Sequence, residues 1–288
     1  MMAIMHLLNP LKLCLSVVLL LSSTLNLVVG QNLTQEQQAN TNRTLKIGYV
    51  VYEGFTPLDI WGPMELLFQL SYQRNMTLAV VSHKKGPVNA RSPPHAVGHN
   101  PEISAADYSH MINPQIIATH TFEDAPHLDV IVVPGGAGYF HFAEEANNTV
   151  MEDFLAHRGP EADYLVSVCI GSVVFARAGL LAGRRATTNK AAWTWATDPS
   201  HGSNITWVPS ARWVQDGNIW TSSGVAAGID MMWAFLRHVY GPVLDKLVNS
   251  IEYTPHTDPD WDPFSVVFKV PGANQNHTLT DCEAPLPT

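Results

Sequence analysis

Charged residues are scarce in this sequence. Of its 288 residues, 14% are charged and 46% are hydrophobic, whereas an average soluble domain has roughly 25% charged residues. Intrinsic disorder needs few apolar and many charged residues, so the composition excludes a largely disordered chain. The formal net charge is −9, and Lys and Arg form no extended run. Nucleic acid is therefore not expected as a partner, because phosphate binding needs clustered positive charge.

Long apolar runs are missing everywhere except near the N-terminus. There, Lys12 precedes the apolar run 13–21, and small and polar residues follow as far as Gly30. This arrangement predicts a secretory signal peptide over residues 1–30. An uncleaved N-terminal anchor is the alternative, because apolar residues continue to Val29. A membrane span needs about 18 consecutive apolar residues, and no other apolar run is that long. No membrane span is therefore expected after cleavage.

Six N-glycosylation sequons support the prediction of secretion. Each has Thr two residues after the Asn and no intervening proline, which makes the Asn a possible acceptor in a secreted protein. The acceptors are Asn32, Asn42, Asn75, Asn147, Asn204 and Asn276. We therefore expect a glycoprotein that is secreted or held in the lumen of the secretory pathway.

Cysteine is also scarce, with three residues in the chain. Cys14 lies in the predicted leader, which leaves Cys169 and Cys282. Two cysteines cannot form the disulfide framework of a small secreted protein. A single bridge between them stays open, although Cys169 ends an apolar run and Cys282 lies in an acidic, Pro-rich segment.

The arrangement of apolar residues is typical of a mainly parallel α/β sheet, because short β-branched runs alternate with helical patterns. Strands are predicted at 45–52, 77–82, 115–119, 129–133, 164–168, 206–208 and 218–221. Helices are predicted from Ile60 onward and at 170–181, 225–239 and 242–253. We expect a flexible N-terminal arm over 31–44, one domain over 45–255 and a polar, Pro-rich tail over 256–288. A hairpin is expected within 84–127.

Cys169 is the most informative residue, because it lies where a buried strand meets a buried helix. Such a turn holds a side chain at the carboxyl end of the sheet, where α/β active sites lie. The N-terminus of the helix favours a thiolate, so we predict a nucleophile with a depressed pKa. A buried, inert cysteine is the alternative.

Glycines follow a neighbouring apolar strand in the segment 134–138, Pro-Gly-Gly-Ala-Gly. They allow backbone N–H groups to approach a ligand, which suits an oxyanion pocket beside Cys169. An ordinary turn at the end of a strand is the alternative. The spacing and the Lys of a P-loop are both absent.

Asp59 lies three residues after Thr56, and Pro57 stands between them, which is a capping pattern at the start of a helix. Capping explains Asp59 structurally. The loop also leaves the first strand at the carboxyl edge of the sheet, so the carboxyl can approach the Cys169 thiol. A carboxyl crowded there is expected to have a raised pKa and to serve as a proton source.

Histidine is plentiful, with 13 residues, but these are scattered and include no H-E-x-x-H pair. No metal site is expected, since metal ligands recur at fixed spacings. No other cofactor is expected.

Five motifs resemble the ThiJ/PfpI superfamily in one common order, and they are most similar to its isonitrile (isocyanide) hydratase branch. They lie at 52–63, 133–136, 167–169, 178–188 and 224–230. The resemblance implies a single flavodoxin-like or class I glutamine amidotransferase-like domain with a mainly parallel sheet between helices. It also implies a nucleophile elbow and, for many members, a homodimer.

The resemblance further implies a reaction on a small-molecule substrate. In isonitrile hydratases a cysteine attacks the isocyanide carbon, a carboxyl assists proton transfer and water releases an N-formamide. These roles fall on Cys169 and Asp59, with Gly135, Gly136 and Ile170 supplying the backbone around the substrate. An enzyme, a hydro-lyase or hydrolase, is therefore expected.

Two departures from the branch's pattern keep a second function open. Ile170 stands where hydratases of this branch usually have Thr, and Asn189 stands where His is common. Ile170 cannot act as a base, which weakens the protease and amidotransferase-like readings. The alternative function is a non-catalytic protein that senses oxidants through Cys169 or binds a small molecule.

Overall fold

Short aliphatic runs build the central sheet of the protein. The structure is a computed structural model and describes residues 33–92, 109–140, 148–276 and 279. The strands are β1 (Leu45–Val50), β2 (Met76–Ser82), β3 (Gly86–Asn89), β4 (Gln115–Ala118), β5 (His120–Thr121), β6 (Val130–Val133), β7 (Tyr164–Ser167), β8 (Arg185–Ala186), β9 (Thr206–Trp207), β10 (Trp213–Asp216) and β11 (Ile219–Ser222).

Seven of these strands form one sheet in the order β10-β11-β7-β6-β1-β2-β5. All neighbours are parallel except β10 and β11, which are antiparallel. Every residue of β6 and β7 is buried, as expected of parallel strands covered on both faces. The carboxyl ends of β1, β6 and β7 therefore meet at one edge of the sheet, which positions the site described below.

Helices flank the sheet. They are α1 (Gln35–Asn42), α2 (Pro57–Ser71), α3 (Val150–Arg158), α4 (Gly171–Arg177), α5 (Trp193–Ala196), α6 (Ala227–Tyr240), α7 (Val243–Ser250) and α8 (Phe264–Val267). Helix α6 packs against α2 and β11, while α4 packs against β6 and β7. The prediction of a single α/β domain with a mainly parallel sheet is confirmed. The predicted hairpin is β3 paired antiparallel with β4.

The predicted helix over 170–181 is too long. Helix α4 ends at Arg177, and Gly179 has a φ of +76°. A left-handed glycine just beyond the last turn ends a helix, because a side chain there would be strained.

The prediction of a flexible arm is wrong for residues 33–44. Helix α1 starts with a capping box formed by Thr34 and Gln37. The Asn40 Nδ2 donates to the Val239 carbonyl at 3.2 Å, and the Gln37 Nε2 donates to the His238 carbonyl at 3.0 Å. The last carbonyls of a helix have no partners within it. The side-chain amides of α1 therefore supply hydrogen-bond donors to the carbonyls at the end of α6.

Part of the predicted polar, Pro-rich tail, residues 256–270, is packed against the domain. The Arg212 N–H donates to the Pro259 carbonyl at 2.8 Å, and Asp262 and Val270 are buried. The segment is held against the domain by backbone hydrogen bonds and by a buried carboxylate. Its polar composition does not predict this packing. We call residues 254–270 the C-terminal segment.

Several predictions lie outside the described residues. These are the signal peptide over residues 1–30, the sequons at Asn32 and Asn147, and Cys282. In the part of the chain that the structure describes, no helix is long and apolar enough to cross a membrane.

Candidate active site

Cys169 forms a sharp elbow between β7 and α4. Its φ is +60°, a left-handed conformation that is uncommon outside glycine and that clusters at functional sites. Its N–H donates to the Ser223 carbonyl at 2.9 Å. A Cβ on Gly171 would lie 2.3 Å from the Val133 carbonyl oxygen, so only glycine allows the helix to start this close to β6. The predicted strand-to-helix turn is present.

The glycine turn after β6 packs directly on the cysteine. A Cβ on Gly135 would lie 2.7 Å from the Cys169 Cβ and 2.9 Å from its Sγ, and a Cβ on Gly136 would lie 2.3 Å from the Gly54 carbonyl oxygen. The Thr56 N–H donates to the Gly135 carbonyl at 2.9 Å. These glycines therefore hold the loop after β1 and the elbow in close contact.

Asp59 points toward this contact from the first turn of α2. The side chain is fully buried, and its Oδ2 accepts the Gly135 N–H at 2.8 Å. Its Oδ1 has no hydrogen-bond partner among the described residues. The Gly135 N–H thus donates to Asp59, and its contact with a substrate oxyanion stays a prediction.

The capping explanation of Asp59 is also wrong. Thr56 is the residue before α2, but its side chain makes no capping hydrogen bond. The Asp59 carboxylate bonds to Gly135 across the sheet edge instead of to its own helix. A buried carboxyl with one unpartnered oxygen costs stability, which indicates a function other than capping.

Burial raises the pKa of Asp59 to about 7, although the Gly135 N–H and the Cys169 thiol partly offset this effect. The carboxyl and the thiol lie close enough to shift each other's pKa. Burial also raises the pKa of Cys169, and the negative charge of Asp59 raises it further. The predicted depressed pKa of Cys169 is therefore wrong, because the Ile170 N–H at the helix start lowers the pKa less than burial raises it.

Asn189 contacts the sulfur from the other side. Its Nδ2 donates to the Cys169 Sγ at 3.1 Å, and its Oδ1 accepts the Ala192 N–H at 3.0 Å. The backbone donor fixes which end of the amide faces the thiol. Asn189 had no predicted role, although it directly follows Thr188, the last residue of the motif at 178–188. In the structure the Thr188 hydroxyl donates to the Cys169 carbonyl at 3.3 Å, which brings Asn189 close to the thiol.

Together these groups suit nucleophilic catalysis with proton transfer. The sulfur has two donors beside it, the Ile170 N–H and the Asn189 amide. A carboxyl with a pKa near 7 both accepts and donates a proton at neutral pH. Cys169 is a free thiol. Among residues 33–92, 109–140, 148–276 and 279, no group of three or more His, Cys, Asp or Glu is placed to hold a metal ion.

Four of the six predicted sequon asparagines lie within the described residues. All four are exposed: Asn42, Asn75, Asn204 and Asn276.

Comparisons with known proteins find relatives over most of the chain. The DJ-1/PfpI family model matches residues 46–238. An isonitrile hydratase from Pseudomonas putida is 33% identical over 233 residues, which cover 77% of this chain and 87% of the relative. A ThiJ/PfpI family protein from Pseudomonas syringae has a similar structure, with a TM-score of 0.60, 25% identity and coverage of 82% of this chain and 86% of that one.

A more distant structure shares the fold. Drosophila melanogaster DJ-1beta has a TM-score of 0.53 at 15% identity, with 73% of this chain and 100% of that chain covered. The family model spans most of the chain, including the elbow, the glycine turn and Asp59. The chain therefore belongs to the DJ-1/PfpI family.

Proposed function

We propose that the protein hydrates a small isocyanide to an N-formamide through Cys169. The observation that carries this proposal is the buried Cys169 thiol between the Asp59 carboxyl and the Asn189 amide. A nucleophile beside a proton acceptor, with donors fixed around it, is the arrangement that covalent catalysis needs.

The similarity to the isonitrile hydratase of Pseudomonas putida supports this choice of reaction. An isocyanide is uncharged, and its terminal carbon accepts a nucleophile and then a proton. The site offers both, and the buried thiol is suited to a neutral substrate because burial disfavours a charged one.

In the first step the Cys169 Sγ attacks the terminal carbon of the isocyanide. The ionised Asp59 accepts the thiol proton as the S–C bond forms, and then gives that proton to the same carbon. The product is a thioimidate, in which the carbon carries hydrogen, is bonded to sulfur and is doubly bonded to nitrogen. The Asn189 Nδ2 and the Ile170 N–H stabilise negative charge on sulfur as the proton leaves.

In the second step water adds to the thioimidate carbon, with oxygen bonding to carbon and a proton going to nitrogen. Asp59 is the group placed to take a proton from this water. The tetrahedral adduct then collapses, the C–S bond breaks, and the hydroxyl proton returns to the sulfur. One isocyanide and one water yield one N-formamide, and the thiol is regenerated.

The pKa of Cys169 weighs against the alternative of a redox sensor. Oxidant-sensing cysteines are exposed and have a low pKa, whereas Cys169 is buried and its pKa is raised. The structure therefore favours a thiol that is activated by Asp59 when substrate is bound.

Turnover tests the proposal. Purified protein should convert phenyl isocyanide to N-phenylformamide, and Cys169→Ala should abolish the conversion. Asp129→Asn is the matched control, because Asp129 is a buried carboxylate that accepts the Lys46 N–H at the opposite end of β1. No conversion by the wild-type protein, or equal conversion by Cys169→Ala, would contradict the proposal.

We also propose that the protein enters the secretory pathway and carries N-glycans. The predicted leader and the exposed sequon residues support this proposal. Protein made in a eukaryotic host should start near Gln31 and lose mass on treatment with an N-glycosidase. Full-length, unglycosylated protein from that host would contradict it. The homodimer stays a prediction, which light scattering of the purified protein tests.

A further inference from the structure

A cavity of about 320 Å³ is lined in part by residues that contact the nucleophile. Asn189, which donates to the Cys169 sulfur, lines it, and so does Ser223, whose carbonyl accepts the Cys169 N–H. Phe264 and Phe268 of the C-terminal segment line it as well. The cavity therefore lies between residues that contact Cys169 and the C-terminal segment.

Charged side chains line this cavity, but each is engaged by the protein. The Arg212 Nε donates to Asp230 at 2.7 Å, and Asp262 lies 3.9 Å from the Arg212 guanidinium. The Lys190 Nζ donates to the Thr187 hydroxyl at 2.7 Å and to the Ala211 carbonyl at 2.8 Å. A charged ligand would have to compete with these partners, so the cavity favours an uncharged one.

The two aromatic residues of the wall are only partly covered. Phe264 is 38% exposed and Phe268 is 49% exposed, and their rings stack with centroids 6.4 Å apart. Aromatic rings gain from burial against another ring. A ligand in the cavity would cover surface that the protein leaves open.

We propose that this cavity binds the organic substituent of the substrate and that the C-terminal segment sets how large the substituent can be. A cavity of about 150 Å³ in another protein binds benzene. The volume here therefore admits a phenyl ring or an alicyclic group of similar size. The identity of the reacting end rests on the proposed function, whereas the binding of the uncharged substituent does not.

Substitutions at the cavity wall should change substrate preference. Ala226→Leu adds bulk at an exposed position that lines the cavity, so folding should be preserved. Small changes in an apolar pocket change discrimination by about 10–200-fold. We expect the ratio of kcat/KM for phenyl isocyanide to that for methyl isocyanide to fall at least tenfold. Phe268→Ala should lower the same ratio by removing an aromatic wall.

Phe68→Ala is the matched control, because Phe68 is an exposed aromatic residue on α2 that is not among the residues lining this cavity. It should leave the ratio unchanged. An unchanged ratio in both Ala226→Leu and Phe268→Ala would overturn the proposal.

A binding measurement separates this proposal from the reaction. The probe is N-(4-fluorophenyl)formamide, observed by fluorine NMR with the wild-type protein and the same variants. Its Kd should rise at least tenfold in Ala226→Leu and stay unchanged in Phe68→Ala. This result supports the cavity even if no isocyanide is hydrated, in which case only the proposed function fails. Equal binding by wild type and Ala226→Leu would overturn the cavity proposal.

Discussion

Asp59→Asn should make the protein more stable and less active at the same time. Asparagine keeps the size of the side chain, and its Oδ1 can still accept the Gly135 N–H that Asp59 accepts at 2.8 Å. What it removes is the ionisable proton of a buried carboxyl with an unpartnered oxygen.

The gain in stability follows from the pKa of Asp59. Burial raises this pKa from 3.8 to about 7. Below pH 3.8 the carboxyl is protonated in both the folded and the unfolded state, so it has no effect on stability. As the pH rises toward 7, the unfolded state releases its proton first, and the folded state loses stability relative to it. Above pH 7 the loss reaches roughly 4 kcal/mol, at 1.36 kcal/mol for each unit of pKa.

Urea unfolding at pH 4 and at pH 8 measures this effect. The free energy of unfolding of Asp59→Asn, relative to wild type, should increase by up to roughly 4 kcal/mol from pH 4 to pH 8. Turnover of isocyanide should fall about 10²–10⁴-fold, the usual cost of losing a positioned proton donor and acceptor. A difference in stability that does not change with pH would refute the reasoning on burial. Wild-type turnover by the variant would refute the catalytic role.

Three further predictions test other parts of the site and fold. Wild-type kcat/KM should rise through a midpoint near pH 7, because the Asp59 carboxylate, whose pKa burial raises to about 7, must accept the thiol proton; a pH profile without this limb would contradict the assignment. Asn189→Leu removes the donor to the sulfur and should lower kcat by roughly 10–100-fold, because a hydrogen bond to a charged group contributes that much. Steady-state kinetics measures this change, and an unchanged kcat would exclude the contact from catalysis. Asn40→Leu leaves the Val239 carbonyl without its donor and should cost about 1–3 kcal/mol in urea unfolding with turnover unchanged; equal stability would show that the docking of α1 contributes nothing.

The strands of the central sheet are predictable because burial on both faces demands continuous apolar runs, as in β6 and β7. Strand β10 escaped prediction, since it is a short edge strand with two polar residues. Its hairpin with β11 turns through Gly217 and Asn218, where Gly217 has a φ of +60°. Gly-Asn between two strands is a hairpin signal, and it was present in the sequence.

The meeting of Cys169 and Asp59 is also predictable, because parallel strands bring their following loops to one edge. The direction in which the Cys169 pKa shifts could not be predicted from the sequence. It depends on how completely the thiol is desolvated and on the charge of Asp59, and neither is encoded in a local pattern. The docking of α1 and the C-terminal segment depends on single long-range contacts, such as that between Asn40 and Val239, which composition cannot reveal.

The central claim is that Cys169 forms a covalent bond to the isocyanide carbon. Rapid acid quench of the wild-type protein with phenyl isocyanide, followed by intact-mass and peptide analysis, measures this directly. The account predicts an adduct of one isocyanide on the peptide that contains Cys169, which disappears as fast as N-phenylformamide is released. Formamide produced at the wild-type rate with no adduct on that peptide, or by the Cys169→Ala protein, would contradict it.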